Sequence, residues 1–139
     1  MEYHHELFTA FSLPDVPHVA NRSILRQVSD LMQRYPLGEP LEKLKQKTET
    51  HYYHSLRVGV MFYDVVSLQH GIIHVIPKYS ILAAGLLHDY GKTMIPDEVL
   101  HKPGQHNHEE RQIMRSHNSL SYAAPEIEQL EKTYFPYLR

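Results

Sequence analysis

The chain contains no cysteine. That absence excludes disulfides, thiolate metal sites and cysteine nucleophiles together, so any metal must be held by histidine and carboxylate side chains. No window reaches the roughly 18 apolar residues of a membrane-crossing helix. The start, MEYHHELFTAF, has neither a basic head nor a long apolar core. These absences lead to the expectation of a cytoplasmic protein with no membrane partner. Charge of one sign is scarce too: the formal net charge is −2 and there is no basic run. Electrostatics therefore gives no ground for general nucleic-acid binding, although small anionic ligands need only local charge. No internal repeat or low-complexity segment is visible.

With 139 residues, one domain is expected, burying roughly two thirds of its unfolded surface. Leu7, Phe8 and Phe11 form a short apolar patch ahead of Pro14 and Pro17, enough for one or two helical turns before a proline-broken loop. His4 and His5 beside it read as solvated. Asn21 is a plausible N-cap for a helix with Ile24, Leu25, Val28, Leu31, Met32 and Tyr35 at helical spacing, stopped by Pro36 and Gly38. The run from Leu41 to Thr50 alternates charges like a solvated helix face or linker.

From His54 to His70, the apolar residues Val58, Met61, Phe62, Val65 and Leu68 make one helical stripe. His54 lies on its N-terminal extension and is expected to face inward, where a core histidine is the plain alternative. His51 and His70 fall off the stripe or at the helix end and read as exposed. A loop bracketed by Gly71 and Pro77 follows.

The sequence turns on Leu86-Leu87-His88-Asp89-Tyr90-Gly91-Lys92. Adjacent His and Asp can offer a ring nitrogen and a carboxylate oxygen to one divalent metal, but with 12 histidines such pairs also arise by chance. The run from Tyr79 to Leu87 before it is apolar on nearly every side, as a central buried helix requires. A polar pair at the end of such a helix has to be hydrogen-bonded or metal-bound, since uncompensated burial costs several kcal/mol. Gly91 permits a turn there and Lys92 brings a cation.

Beyond it, Pro96 opens one short helical segment and Pro103-Gly104 stops it. His101, His106 and His108 match no tetrahedral-site spacing and sit in polar loop. Glu109 and Glu110 suit the start of the next helix, on which Ile113, His117, Leu120 and Ala124 share a face, so His117 is a second inward histidine. Pro125 begins a last helix with Ile127 and Leu130, and residues 134–138 close the chain.

Three inward histidines from three helices, with one Asp beside the second, can converge in the core of a helical bundle. In order and nearly in spacing, His54-Ser-Leu-Arg57-Val58, His88-Asp89-Tyr90-Gly91-Lys92, Ile95-Pro96-Asp97, Lys102-Pro103-Gly104, Glu109-Glu110 and Met114-Arg-Ser-His117 resemble the HD superfamily of metal-dependent phosphohydrolases, and within it the HD-GYP subfamily. The resemblance covers somewhat over half the chain. That subfamily continues to a His-His-Glu run, a further Asp and a Gly-Tyr-Pro signature, whereas here no Asp follows Asp97 and no His follows His117. Thr50 stands where some members place an additional Glu ligand. The expectation is residues 1–38 as a helical extension and 39–139 as an HD-type domain lacking its C-terminal part, either a piece of a longer protein or a naturally shortened form.

The resemblance implies an all-α, HD-domain-like bundle of about five to seven helices. It also implies His54, His88, Asp89 and His117 as metal ligands, with Asp89 bridging if two metals bind. Lys92 would then act with Asp89 in catalysis by stabilising the phosphate's developing charge, and Arg57 would stand behind the site or serve the structure. The cofactor it implies is one or two divalent metals, Fe or Mn first and Zn, Ni or Mg after them. The implied substrate is a phosphate ester or cyclic dinucleotide, with cyclic di-GMP the subfamily's own. Against this enzyme reading stands a signalling or interaction module that keeps the fold and part of the metal site, with the homodimer as a further arrangement. The plainest reading leaves the histidines as core packing.

Overall fold

The structure of the chain, a computed structural model, describes residues 3–12, 21–68, 76–135 and 138. Every element among them is helical: α1 (Tyr3–Phe11), α2 (Arg22–Arg34), α3 (Gly38–Lys47), α4 (Glu49–Leu68), α5 (Lys78–Leu87), a 3₁₀ segment (Tyr90–Met94), α6 (Asp97–Leu100), α7 (His108–Arg115), α8 (His117–Ala123) and α9 (Pro125–Thr133). The all-α bundle is as expected, and the short helices after α5 take the number above seven. No described helix is long and apolar enough to cross a membrane. The loop at Pro14 and Pro17, His70 with the segment after Gly71, and the last residue Arg139 lie outside the described residues.

Local signals set several boundaries. The Asn21 side chain accepts from the Ser23 N–H at 2.8 Å and caps α2. Asn107 and Glu110 exchange side chain-to-backbone hydrogen bonds at 2.9 and 2.8 Å, a capping box that starts α7. Pro125 occupies the first turn of α9, where its missing N–H costs nothing.

Helix α4 is the central post, with α1, α2, α3 and α5 packed on it. Its inner face differs from the expected one. The buried residues are Tyr52, Ser55, Leu56, Gly59, Val60 and Tyr63, while Met61, Phe62, Val65 and Leu68 are exposed. The reason is Gly59. A methyl group there would stand 2.7 Å from Leu86 Cδ2, and one on Gly85 would stand 2.7 Å from Gly59 Cα. Two helices that meet backbone to backbone bury small residues and the tyrosines around them, so the larger apolar side chains turn outward. His54 does lie on the stripe of Val58 and Phe62, but that stripe borders an open groove and His54 is exposed.

Two further expectations change. Helix α1 runs for nine residues with Tyr3, Leu7 and Ala10 buried; Lys45 holds Glu6 at 2.8 Å and the Arg57 guanidinium donates to the Ala10 carbonyl at 3.3 Å. The charged run around Leu41 is helix α3, and it is not solvated all round: Pro40, Leu41 and Leu44 are buried. Proline at 36 ends α2 as expected, whereas Gly38 starts the next helix. A smaller cluster of Ile95, Val99 and Leu100, with Met114 and Leu120 against it, ties α6, α7 and α8 together.

Candidate metal centre

The centre forms where α5 ends and the 3₁₀ segment presses on α8. Gly91 permits that approach: a Cβ there would lie 1.8 Å from the His117 carbonyl oxygen. Its N–H donates to Ser121 Oγ at 2.6 Å, and the Ser121 hydroxyl donates to the His117 carbonyl at 3.0 Å. This clasp brings the first residue of α8 beside the last turn of α5. Helix α4 enters from the other side through the Gly59–Gly85 crossing, which sets the His54 and His88 rings 5.3 Å apart at 65°.

Asp89 is at the middle, 3% exposed. Its Oδ2 lies 2.8 Å from Lys92 Nζ and 3.5 Å from His88 Nε2, and its Oδ1 lies 3.4 Å from His117 Nε2. His54, His88 and Asp89 bring one ligand atom each within 4.8 Å of one another. His88 Nδ1 is 2.7 Å from the Gly85 carbonyl and His117 Nδ1 is 2.5 Å from the Met114 carbonyl. A carbonyl only accepts, so both Nδ1 atoms carry the proton and, in the neutral ring, both Nε2 atoms present lone pairs. Those lone pairs face carboxylate oxygens, so acceptors meet acceptors. A cation between them removes the conflict, and backbone-held imidazoles around a carboxylate are the donor set a divalent transition metal takes. The residues present therefore fit a metal.

Electrostatics agrees with that set. Burial pushes the Asp89 carboxyl up, but the hydrogen bond and the charge of the Lys92 ammonium, joined by His88 and His117 whenever those rings are protonated, outweigh it and hold Asp89 below the usual carboxylate range. His54 is exposed overall, yet the protein around its ring still removes enough water to lower its pKa. Asp89 opposes that shift, and His88, Lys92 and Arg57 add to it. The ring therefore stays neutral and able to ligate.

The structure brings His54, His88, Asp89, His117 and Lys92 together, and it turns the guanidinium of Arg57 toward the end of α1. Helix α7 stops at Arg115 and α8 starts at His117, so the apolar face drawn through Ile113 is interrupted: Ile113 is exposed and His117 half-buried. His101 and His106 spend Nε2 on the carbonyls of Lys47 and Val99 at 3.1 and 2.7 Å, and His108 pairs with Gln112. Thr50 is exposed.

His51 is a residue the sequence reading placed in solvent. It is half-buried, with Nδ1 2.9 Å from the Thr48 hydroxyl. Loss of water lowers its pKa, with Lys92, His54 and His101 acting the same way and Asp89 against them. Its position one turn before His54, on the same helix face, was the available signal.

The family model of the HD domain matches residues 51–133. A 3′3′-cGAMP-specific phosphodiesterase 1 from Vibrio cholerae serotype O1 is 24% identical over 119 residues, which are 86% of this chain and 26% of that protein. The chain spans about a quarter of the length of that curated relative. No solved structure matches the chain.

Proposed function

Because the chain belongs to the HD-domain family, we propose that it is a divalent-metal-dependent phosphohydrolase acting on a phosphodiester of the cyclic-dinucleotide class. The observation that carries the reading is the convergence of the His88 and His117 Nε2 lone pairs and the Asp89 carboxylate, with Lys92 2.8 Å from that carboxylate. His54, His88, Asp89 and His117 hold the metal, with Fe or Mn suited to two or three imidazoles and a carboxylate. A divalent metal supplies Lewis-acid polarisation of phosphoryl oxygen and a water of lowered pKa.

The protein's own groups do the remaining work. The Gly85 and Met114 carbonyls fix the ring tautomers, so no rotation is needed before binding. Lys92 places an ammonium in a largely buried corner, where it favours negative charge gathering on a phosphoryl group. The relative's substrate and the HD-GYP-like order of motifs support a cyclic dinucleotide; 3′3′-cGAMP and cyclic di-GMP are the two to compare.

The test is elemental analysis of protein purified without chelator, together with hydrolysis of both dinucleotides in Mn(II) or Fe(II). Metal in the wild type, its loss in His88→Ala and cleavage abolished by Asp89→Ala are expected. A wild-type chain that takes no metal and cleaves neither compound overturns the reading. One observation favours a second reading, a non-catalytic module: the Lys92 ammonium already neutralises Asp89 without metal. On that reading, binding of a partner survives Asp89→Ala.

A further inference from the structure

A cavity of about 230 Å³ opens beside the metal centre, and His88 forms part of its wall. Its other lining residues include Phe62 of α4, Leu87 of α5, Asn118 and Tyr122 of α8, and the apolar Ile127 and Leu138. It is smaller than the roughly 300–1,000 Å³ of a site that holds a whole ligand, so it suits one ring system of a larger molecule. Phe62 and Tyr122 are 48% and 54% exposed. Large aromatic rings left this open, on two different helices at one cavity, offer stacking faces. The Asn118 amide has no hydrogen-bond partner among the described residues, so both its donor and its acceptor are available on one edge.

We infer that this cavity is the nucleobase subsite of the phosphohydrolase: a base stacks on Phe62 and Tyr122, Asn118 reads its hydrogen-bonding edge, and the attached phosphate lies at His88 and Asp89. Stacking on aromatic side chains is tolerant of base identity because every base has a π-face, so discrimination falls to the amide. A bare apolar groove would fit many occupants. The shared wall with a metal ligand and the unengaged amide narrow this one to a planar polar ring joined to a phosphate.

The inference rests on the phosphohydrolase reading, and one comparison separates the two. GMP and ribose 5-phosphate carry the same sugar and phosphate and differ by the base; each is titrated calorimetrically into the Mn(II)-loaded chain. GMP is expected to bind at least about tenfold tighter, the scale of one base–aromatic stack. Phe62→Leu, Tyr122→Ala and Asn118→Ala should each take away most of that advantage and leave ribose 5-phosphate unchanged. All three positions are exposed, so the variants keep the core intact. Equal affinities in the wild type, or a preference for GMP that survives all three substitutions, overturns the subsite while leaving the hydrolase reading in place. Failure to load Mn(II), or to bind either compound, brings down both.

Discussion

Gly85 and Gly59 meet backbone to backbone: a methyl group on Gly85 would stand 2.7 Å from the Cα of Gly59 and 3.0 Å from its nitrogen. The consequence reaches the candidate metal centre, because His54 is five residues before Gly59 and His88 is three after Gly85. The separation of the two rings is set by the crossing between them.

Gly85→Ala is therefore expected to push α4 and α5 apart. Overpacking of this kind costs about 1–3 kcal/mol, and here the neighbours are backbone atoms of Gly59 and Val58 that cannot rotate away. Urea denaturation should show the loss, and metal content should fall with it. A variant of wild-type stability that keeps its metal would mean that the crossing has slack and that the histidines are placed by something else.

Tyr90 holds α9 down. Its hydroxyl donates to the Glu126 carboxylate, which Lys43 approaches at 3.3 Å. Burial first, and then the Glu126 interaction, raise the Tyr90 pKa, so the phenol stays protonated as the donor. Tyr90→Phe should cost about 1.5 kcal/mol, the low end for a hydrogen bond to a charged group, because Glu126 keeps solvent and Lys43. Hydrogen exchange in α9 should quicken more than in α4; uniform quickening would place the effect in the core instead.

Acid should weaken the metal-free chain in two stages. His51 and His54 have folded pKa values below their unfolded ones, so between the folded value and about 6.5 the unfolded chain binds more protons. Their contribution is complete above that unfolded value and is lost as pH falls below it toward the folded one. Asp89 is also lowered; its contribution holds above about 3.9 and disappears as pH falls through its folded value. Urea midpoints measured in chelator should fall from pH 7.5 to 5.5, and the double variant His51→Gln, His54→Gln should flatten that limb. A midpoint that rises on acidification would contradict the sign.

Of the candidate ligands, His88-Asp89 was legible from local chemistry, because it follows an unbroken apolar helix. His54 and His117 rested on the family resemblance, since the apolar stripes drawn through them prove exposed in one case and interrupted in the other. Asn21, Pro96 and Pro125 likewise act locally, so their elements start where expected. The face of α4 was not legible, since hydropathy credits Met61, Phe62, Val65 and Leu68 with the interior and gives Gly59 nothing. Close approach of two helices is a property of the pair, which neither segment carries alone. The same holds for Gly91: it reads as a turn, and its tight fit against the His117 carbonyl appears only when α8 is in place. His51 was assigned to solvent because the stripe that judged it was the outward one.

Lys92 separates a metal enzyme from a metal-free module. Asp89 is buried, and the ammonium 2.8 Å away is its nearest full charge. Removing one partner of a buried ion pair leaves the other uncompensated, at a cost of about 3 kcal/mol or more. Lys92→Met should therefore lower the urea stability of the metal-free chain by about that amount. If the Nε2 lone pairs and Asp89 are built for a divalent ion, Mn(II) compensates the same carboxylate, so its addition should restore most of the loss and stabilise the variant more than the wild type. In a module that relies on Lys92 alone, Mn(II) restores nothing, and the histidines around Asp89 are packing. An unchanged stability in Lys92→Met without metal would show that Asp89 draws its compensation from protonated His88 or His117, and would move the question to those rings.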